Sequence, residues 1–410
     1  MLTLAALATL AVMSSCTMLG LNYASLETGN KPAPEPRLSA ATLAEWEAER
    51  AGLLSAFQEV VYGPWPEQLE VTLVSRRTAD PDFAGGLARL EELRIRLGAG
   101  EAAEEFFLGL AVPKAAEPAS LGIVIGQTFS DNCGVFQSRA LSQASGAPCA
   151  STDVPWLIEY IFGEYIAKVP FERYFEAGFA YANYYGSDVV PDRVQLGQET
   201  LARLAGTEPG KAGGALIAWA YAYKAAIDVL ETEPWLNPDK IAVYGHSRHG
   251  KSALLGGIFD RRIDFVLSHQ SGFGGAALSR SRVGEGIARV AETYPHWFAP
   301  GFDTAARTPS ALSVDQHQLL ALLAPTPVFL GNGRRDVWSD PNSTYRAAAA
   351  ASAVYELYGR QGLLGDGLLS FAPSAGLAYF LRAGGHGTDR RDVDAMLGFL
   401  AAQTAACRGP

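Results

Sequence analysis

The chain is short of clustered positive charge. No Lys/Arg-rich run occurs in its 410 residues, and the formal net charge is −10. Nucleic-acid binding needs grouped cations to neutralise phosphates, so this balance argues against nucleic acid as a partner. Cysteine is scarce as well: four residues, with no CxxC pair and no Cys/His cluster at metal-ligand spacing. A structural zinc is therefore not expected. Charged residues are only 19% of the chain against 48% hydrophobic, which supplies a sizeable core and argues against global disorder. The length allows one large α/β domain or two average ones.

The N-terminus, "MLTLAALATLAVMSSC", is apolar but too short for a membrane-spanning helix, which needs about 20 residues. It fits a secretory h-region. Small residues directly before Cys16 resemble the cleavage box of bacterial lipoproteins, although no Lys or Arg precedes them. Residues 1–16 are expected to be a lipoprotein-type signal, with ordinary secretion as the alternative. Lipidation of Cys16 would then attach the protein to a bacterial outer membrane. Residues 17–36, ending "KPAPEPR", read as a Pro-rich tether, and 37–405 as the folded domain. In an exported protein Cys133 and Cys149 could close a loop by a disulfide; free thiols are the competing reading. Cys407 has no evident partner.

From Leu38 the pattern "LSAATLAEWEAERAGLLSAFQEVVYG" is helical, with Ser39 as a plausible N-cap. Four β-like runs follow: "LEVTLVSRR", "LEELRIRL", "EEFFLGLAV" and "LGIVIGQTF". They lie close together, so antiparallel pairing is expected. Then strands alternate with helices. "GFAYANYYG", "KIAVYG", "FVLSHQSG", "TPVFLGNGRRD" and "LAYFLRAGGHG" read as strands, with "GGALIAWAYAYKAAIDVLE", "GKSALLGGIF", "SVDQHQLLALLAP", "NSTYRAAAAASAVYELYG" and "RRDVDAMLGFLAAQ" as helices. Such alternation implies a parallel sheet covered on both faces. The fold expected is an α/β-hydrolase three-layer αβα sandwich: a mostly parallel central sheet with antiparallel N-terminal strands. Residues 273–310 carry no clean strand and are expected to form a helical insertion beside the site.

The stretch "YGHSRHGKSA" (244–253) places Ser247 between a strand ended by glycine and a helix. That is the pattern of a nucleophile elbow; a helix N-cap is the bland alternative. An α/β-hydrolase triad runs nucleophile, acid, base along the chain. Asp336 follows the strand "PVFLGNGRRD", and His386 follows the last strand in "AGGHG". Ser247 would attack, His386 would shuttle the proton, and Asp336 would fix the imidazole tautomer. Asp340 competes with Asp336 as the acid. His246 and His249 flank the serine but are read as neighbours rather than bases. His296 and His317 read as structural, with His296 near the pocket. The second elbow glycine comes one place later than in G-x-S-x-G. Arg248 offers an oxyanion-hole N–H and a guanidinium, and Lys251 adds a second cation. Together they suggest an anionic or acid-bearing substrate; pairing with acidic neighbours is the alternative.

The elbow "GHSRHGK", with "SGFGGAALSRSRVGE", "YPHWF", "DQHQLLALLAPTPV", "RDVWSDP" and "GGHG", resembles the glucuronoyl esterases of carbohydrate esterase family 15 over roughly residues 40–400. The resemblance implies hydrolysis of esters between 4-O-methyl-glucuronic acid side chains of xylan and lignin-type alcohols, with no cofactor. It implies Ser247 as nucleophile, His386 as base and Arg248 in the oxyanion hole. Lys251, Glu285 and Trp338 fall where the family contacts the uronic acid. One departure stands out: many members place the acid where this chain has Gln270, which supplies no carboxylate. Asp336 occupies the other acid position of the family. The expected partner is thus a glucuronic-acid-bearing polysaccharide or small uronate ester, and a monomer is expected. Two other functions stay open: an esterase for acetyl or feruloyl esters, and a lipoprotein that binds polysaccharide without cleaving it.

Overall fold

The computed structural model describes residues 34–406, apart from 68, 144–148, 150–151 and 366. The expected signal, the lipidation site Cys16, residues 17–33 of the tether, and Cys407 lie outside the described residues. Among the described residues nine strands form one sheet: β1 (Val71–Phe83), β2 (Ala88–Leu97), β3 (Glu104–Pro113), β4 (Leu121–Thr128), β5 (Phe179–Tyr185), β6 (Leu236–His246), β7 (Phe265–His269), β8 (Val328–Gly333) and β9 (Leu377–Arg382). Their order is β1-β2-β3-β5-β4-β6-β7-β8-β9. β1, β2, β3 and β5 pair antiparallel, and every pair from β5/β4 to β8/β9 is parallel. This is the expected sandwich, with one correction: the fourth early run, β4, joins the parallel part. Its residues are buried throughout, as a strand covered on both faces must be. The long 129–178 connection also leaves room for a parallel crossover.

Alternation along the central strands builds two cores. Ile123, Ile125, Ile241 and Val243 join one cluster with Trp46 and Trp219. Val124, Ala242 and Tyr244 join the other with Phe329 and Phe399. The period of two sends neighbours to opposite faces. Helices α1 (Leu43–Phe57), α2 (Trp156–Phe162), α3 (Ala215–Leu230), α4 (Arg248–Phe259), α5 (Pro341–Leu357) and α6 (Arg390–Ala406) follow in chain order. α3 packs into the first cluster and α6 into the second.

Thr42, not Ser39, caps α1: its hydroxyl accepts from Glu45 N, and the Glu45 carboxylate returns to the Thr42 N–H. The reciprocal pair satisfies two end N–H groups at once; Ser39 instead donates to Glu49. Residues 273–310 contain short helices, Ile287–Thr293 and Phe302–Ala305, and one isolated bridge. No described helix is long and apolar enough to cross a membrane. Cys133 and Cys149 are joined by a disulfide.

Candidate active site

β6 delivers Ser247 at its C-terminal end, and α4 starts at the next residue. Ser247 has φ 57° and ψ −122°, a conformation costly for any residue with a Cβ. Its side chain makes no capping hydrogen bond to α4, so the N-cap reading does not hold. The backbone pins the bend: Ser247 N donates to His269 O at 2.8 Å, and Gly250 N to Ser247 O at 2.9 Å. The glycines have steric causes. A Cβ on Gly245 would lie 2.0 Å from His249 O, and one on Gly250 would lie 3.0 Å from Gly245 O and 3.1 Å from His269 O. The late second glycine is thus where two carbonyls close in. Position 249 instead carries a buried imidazole set 4.5 Å from the Phe129 ring.

The loops after β8 and β9 bring Asp336 and His386 together. His386 Nδ1 lies 2.8 Å from Asp336 Oδ2. Asp336 is 1% exposed. Burial pushes its carboxyl up, but the His386 charge and bonds from His386 and Ser339 outweigh this and hold it below the usual range. Asp340, the competing acid, is committed elsewhere: it accepts from Ser343 N at 3.1 Å as the cap of α5 and from the Ser281 hydroxyl. Ser247, Arg248, Lys251, Glu285, Asp336, Trp338 and His386 line a single cavity of about 370 Å³. Ser247 and His386 share that cavity without a hydrogen bond between their side chains among those of the described residues. Such contacts often tighten only once substrate is bound.

The cations are less free than the sequence suggests. Arg248 is ion-paired with Asp192, and its guanidinium sits 5.1 Å from the Phe129 and Trp297 ring centres. Asp192 also meets His296 Nε2 at 3.0 Å and the Trp297 N–H at 2.7 Å. Burial raises the Asp192 carboxyl, but bonds from His296 and the charge of Arg248 hold it strongly down. Lys251 Nζ donates to Ser271 O and, at 2.6 Å, to Phe273 O. Burial pushes its ammonium down to about 8, opposed by Glu285. The same burial raises Glu285, opposed by Lys251. An acid-bearing substrate is therefore not required by these cations. They lean on partners already present.

Gln270, with φ 47°, is buried beneath the His386 loop. Its Nε2 donates to Gly385 O at 3.0 Å, and its Oε1 accepts from Gly387 N at 2.7 Å. Arg382 grips the same two residues, Gly387 O at 2.5 Å and Gly385 O at 3.3 Å. Arg382 is anchored in turn by Asp392 at 2.6 Å. Both neighbours of His386 are thus fixed by side chains from other segments. Asp392 also meets His269 Nε2 at 3.0 Å, and His269 Nδ1 meets His246 Nδ1 at 2.8 Å. With the carboxylate accepting, His269 donates through Nε2, and burial pushes the His246 imidazole well below its ordinary range. The His246 ring lies 4.6 Å from that of His386, a packing neighbour. His317 Nε2 meets Pro36 O at 2.7 Å, tying the end of the tether region to the domain. Asp192, Arg382 and the clasp by Gln270 escaped the sequence reading. Their partners lie far away along the chain, and no local pattern marks them. Among the described residues no His/Cys/Asp/Glu group could hold a metal ion.

A family model described as glucuronyl esterase, fungi, matches residues 137–359, more than half of the chain. The chain belongs to the glucuronoyl esterase family. A curated carbohydrate esterase from an unknown prokaryotic organism is 29% identical over 400 residues, covering 93% of this chain and 91% of that protein. The 4-O-methyl-glucuronoyl methylesterase 1 of Wolfiporia cocos is 36% identical over 154 residues, 35% of this chain and 38% of that protein. The structure of a glucuronoyl esterase from Solibacter usitatus superposes with a TM-score of 0.76 at 26% identity, covering 92% of this chain and 100% of the other. Glucuronoyl esterases are carboxylic ester hydrolases, and this chain has the α/β-hydrolase fold of the family.

Proposed function

We propose that this glucuronoyl esterase hydrolyses esters of 4-O-methyl-glucuronic acid through an acyl-enzyme on Ser247. The observation that carries the reading is the strained, uncapped Ser247 in one cavity with the Asp336–His386 pair. The Asp336 carboxylate accepts from His386 Nδ1–H, which leaves the Nε2 lone pair for the Ser247 proton. Oγ bonds to the uronoyl carbonyl carbon, and the negative charge on oxygen meets the Arg248 N–H. That N–H lies in the first turn of α4 and has no acceptor within the helix. The Arg248 guanidinium, held by Asp192, adds charge beside it. Collapse breaks the bond to the alcohol oxygen, which takes the proton from His386. Water then attacks the acyl-enzyme, with His386 as base, and releases the uronic acid and Ser247. The ring hydroxyls are bound by Lys251 and Glu285, and Trp338 offers a flat apolar face to the sugar.

The natural substrate proposed is a xylan side chain esterified to a lignin-type alcohol. The disulfide supports export. Attachment through a lipid on Cys16 and a monomeric state complete the proposal. A non-catalytic binder drew its support from Gln270, but that residue is fully used in clasping the base loop. Turnover of benzyl glucuronate beside an acetate ester tests the substrate class, and Ser247→Ala tests the nucleophile. The variant should fold and lose at least about 10³-fold in kcat. Equal wild-type rates on the acetate ester, or an active alanine variant, would defeat the reading.

A further inference from the structure

The sequence reading left α2 without a role. Among the described residues only two aromatic side chains are exposed, and both lie on α2: Trp156 at 74% and Tyr160 at 65%. At i and i+4 they share a helix face, with ring centres 6.2 Å apart. Tyr160 also lines the cavity that holds Ser247 and His386. The helix is tied to the base loop by its backbone. Thr388 N donates to Phe162 O at 2.7 Å, and Tyr165 N to Thr388 O at 3.0 Å. The approach is so close that a Cβ on Gly387 would lie 1.9 Å from Phe162 O, and one on Gly163 2.2 Å from Thr388 O. Two glycines therefore let α2 sit directly on the loop that carries the base.

That position has a chemical meaning. The base must hand its proton to the oxygen of the departing alcohol, so the alcohol leaves on the side of His386. α2 packs against the residues immediately after His386; its Tyr160 lines the cavity, and the Trp156 ring stands beside Tyr160 one turn away along the helix. Large apolar rings left in water at the edge of a cavity mark a binding surface. We infer that Trp156 and Tyr160 form a docking shelf for the aromatic ring of the alcohol half of the ester. This rests on the reading of the cavity as an ester-hydrolysing site, and it names which surface holds the leaving group.

The test compares two esters of one acid, methyl and benzyl glucuronate, on the full chain. The Trp156→Ala/Tyr160→Ala double variant should lose about tenfold in kcat/KM on the benzyl ester, the scale of an aromatic contact. The loss should fall mainly in KM, with the methyl ester within about twofold of wild type. Because both side chains are exposed, folding is not at stake, and Trp156→Phe/Tyr160→Phe should keep most of the benzyl preference. Equal losses on both esters, or none on either, would overturn the shelf. So would a defect confined to polymeric glucuronoxylan, which would place a glycan there instead. A wild-type enzyme inert to both esters would instead sink the parent reading, and this one with it.

Discussion

Asp336→Asn is the sharpest perturbation the site allows. Asparagine keeps the shape of the side chain, but its amide donates to His386 Nδ1 where the carboxylate accepted. The proton then moves to Nε2, and the ring presents a donor to Ser247 instead of a lone pair. Similar substitutions in a Ser-His-Asp triad cost about 10⁴ in kcat, or ~5.5 kcal/mol. The structure argues for that full size here, because the two candidate substitutes, Asp340 and the residue at 270, are both committed elsewhere. Asp336 is 1% exposed and 2.8 Å from the ring. Asp340 is spent on Ser343 and Ser281, and Gln270 is neutral and holds Gly385 and Gly387. Adding Gln270→Glu to Asp336→Asn should not restore activity. A carboxylate there keeps the bond from Gly387 N but sets an acceptor against the Gly385 carbonyl, weakening the clasp. Single-turnover rates on benzyl glucuronate read both effects. Because the Asp336 carboxyl is held below its ordinary value, its contribution to stability is present above the unfolded carboxylate range near pH 4. It is lost as pH falls through the folded value, so the asparagine variant should lose stability less steeply in acid. A loss under about tenfold, or recovery in the double variant, would refute this account of the acid.

Ser247→Gly should melt no lower than Ser247→Ala. The extra chain entropy of glycine ordinarily costs about 0.5–1 kcal/mol, but the positive φ reverses that order, and a more stable alanine variant would deny the strain. Asp192→Asn should lower kcat about tenfold on the loss of one charge-assisted bond, with KM nearly unchanged, since Arg248 loses its fixed direction; an unaltered kcat would remove Asp192 from the oxyanion site. Replacing Cys133 and Cys149 by Ala opens a link between residues 16 apart. That should cost ~3 kcal/mol, read as a fall of about 4 °C in melting temperature by calorimetry, and an unchanged transition would show that the link is not structural.

Sheet and serine elbow were legible because their signals are local. The nine runs of β-branched and aromatic residues reappear as nine strands, and the glycine–serine–helix sequence at 245–250 is a steric necessity of the bend. Position in the chain was enough to suggest Asp336 and His386, since loops after β8 and β9 leave the sheet on one edge. Sequence could not separate Asp336 from Asp340. What separates them is left-handed backbone at Asp340 and the contact of Asp336 with His386, features of the turn and of distant pairing rather than of residue type. β4 was assigned to the antiparallel part because direction within a sheet is set by what lies between strands. The 129–178 connection is irregular enough to hide its crossover. α2, half the length of a typical helix and set in that stretch, left no periodic trace.

The charges teach a second lesson about what sequence conceals. Two cations beside the elbow serine suggest attraction for an anion, yet the fold engages both before substrate arrives: Arg248 on Asp192, Lys251 on the Ser271 and Phe273 carbonyls. An esterified uronic acid has lost the charge of its own carboxyl, so a strongly positive ground-state pocket would favour the free-acid product over the ester. A pocket whose cations are matched in advance binds the neutral ester without that bias. Its directed N–H groups then act as charge grows on the carbonyl oxygen, where differential stabilisation accelerates the reaction. On the proposed mechanism, Asp192 and Glu285 set how much positive charge remains for the transition state and how little is left to hold the product.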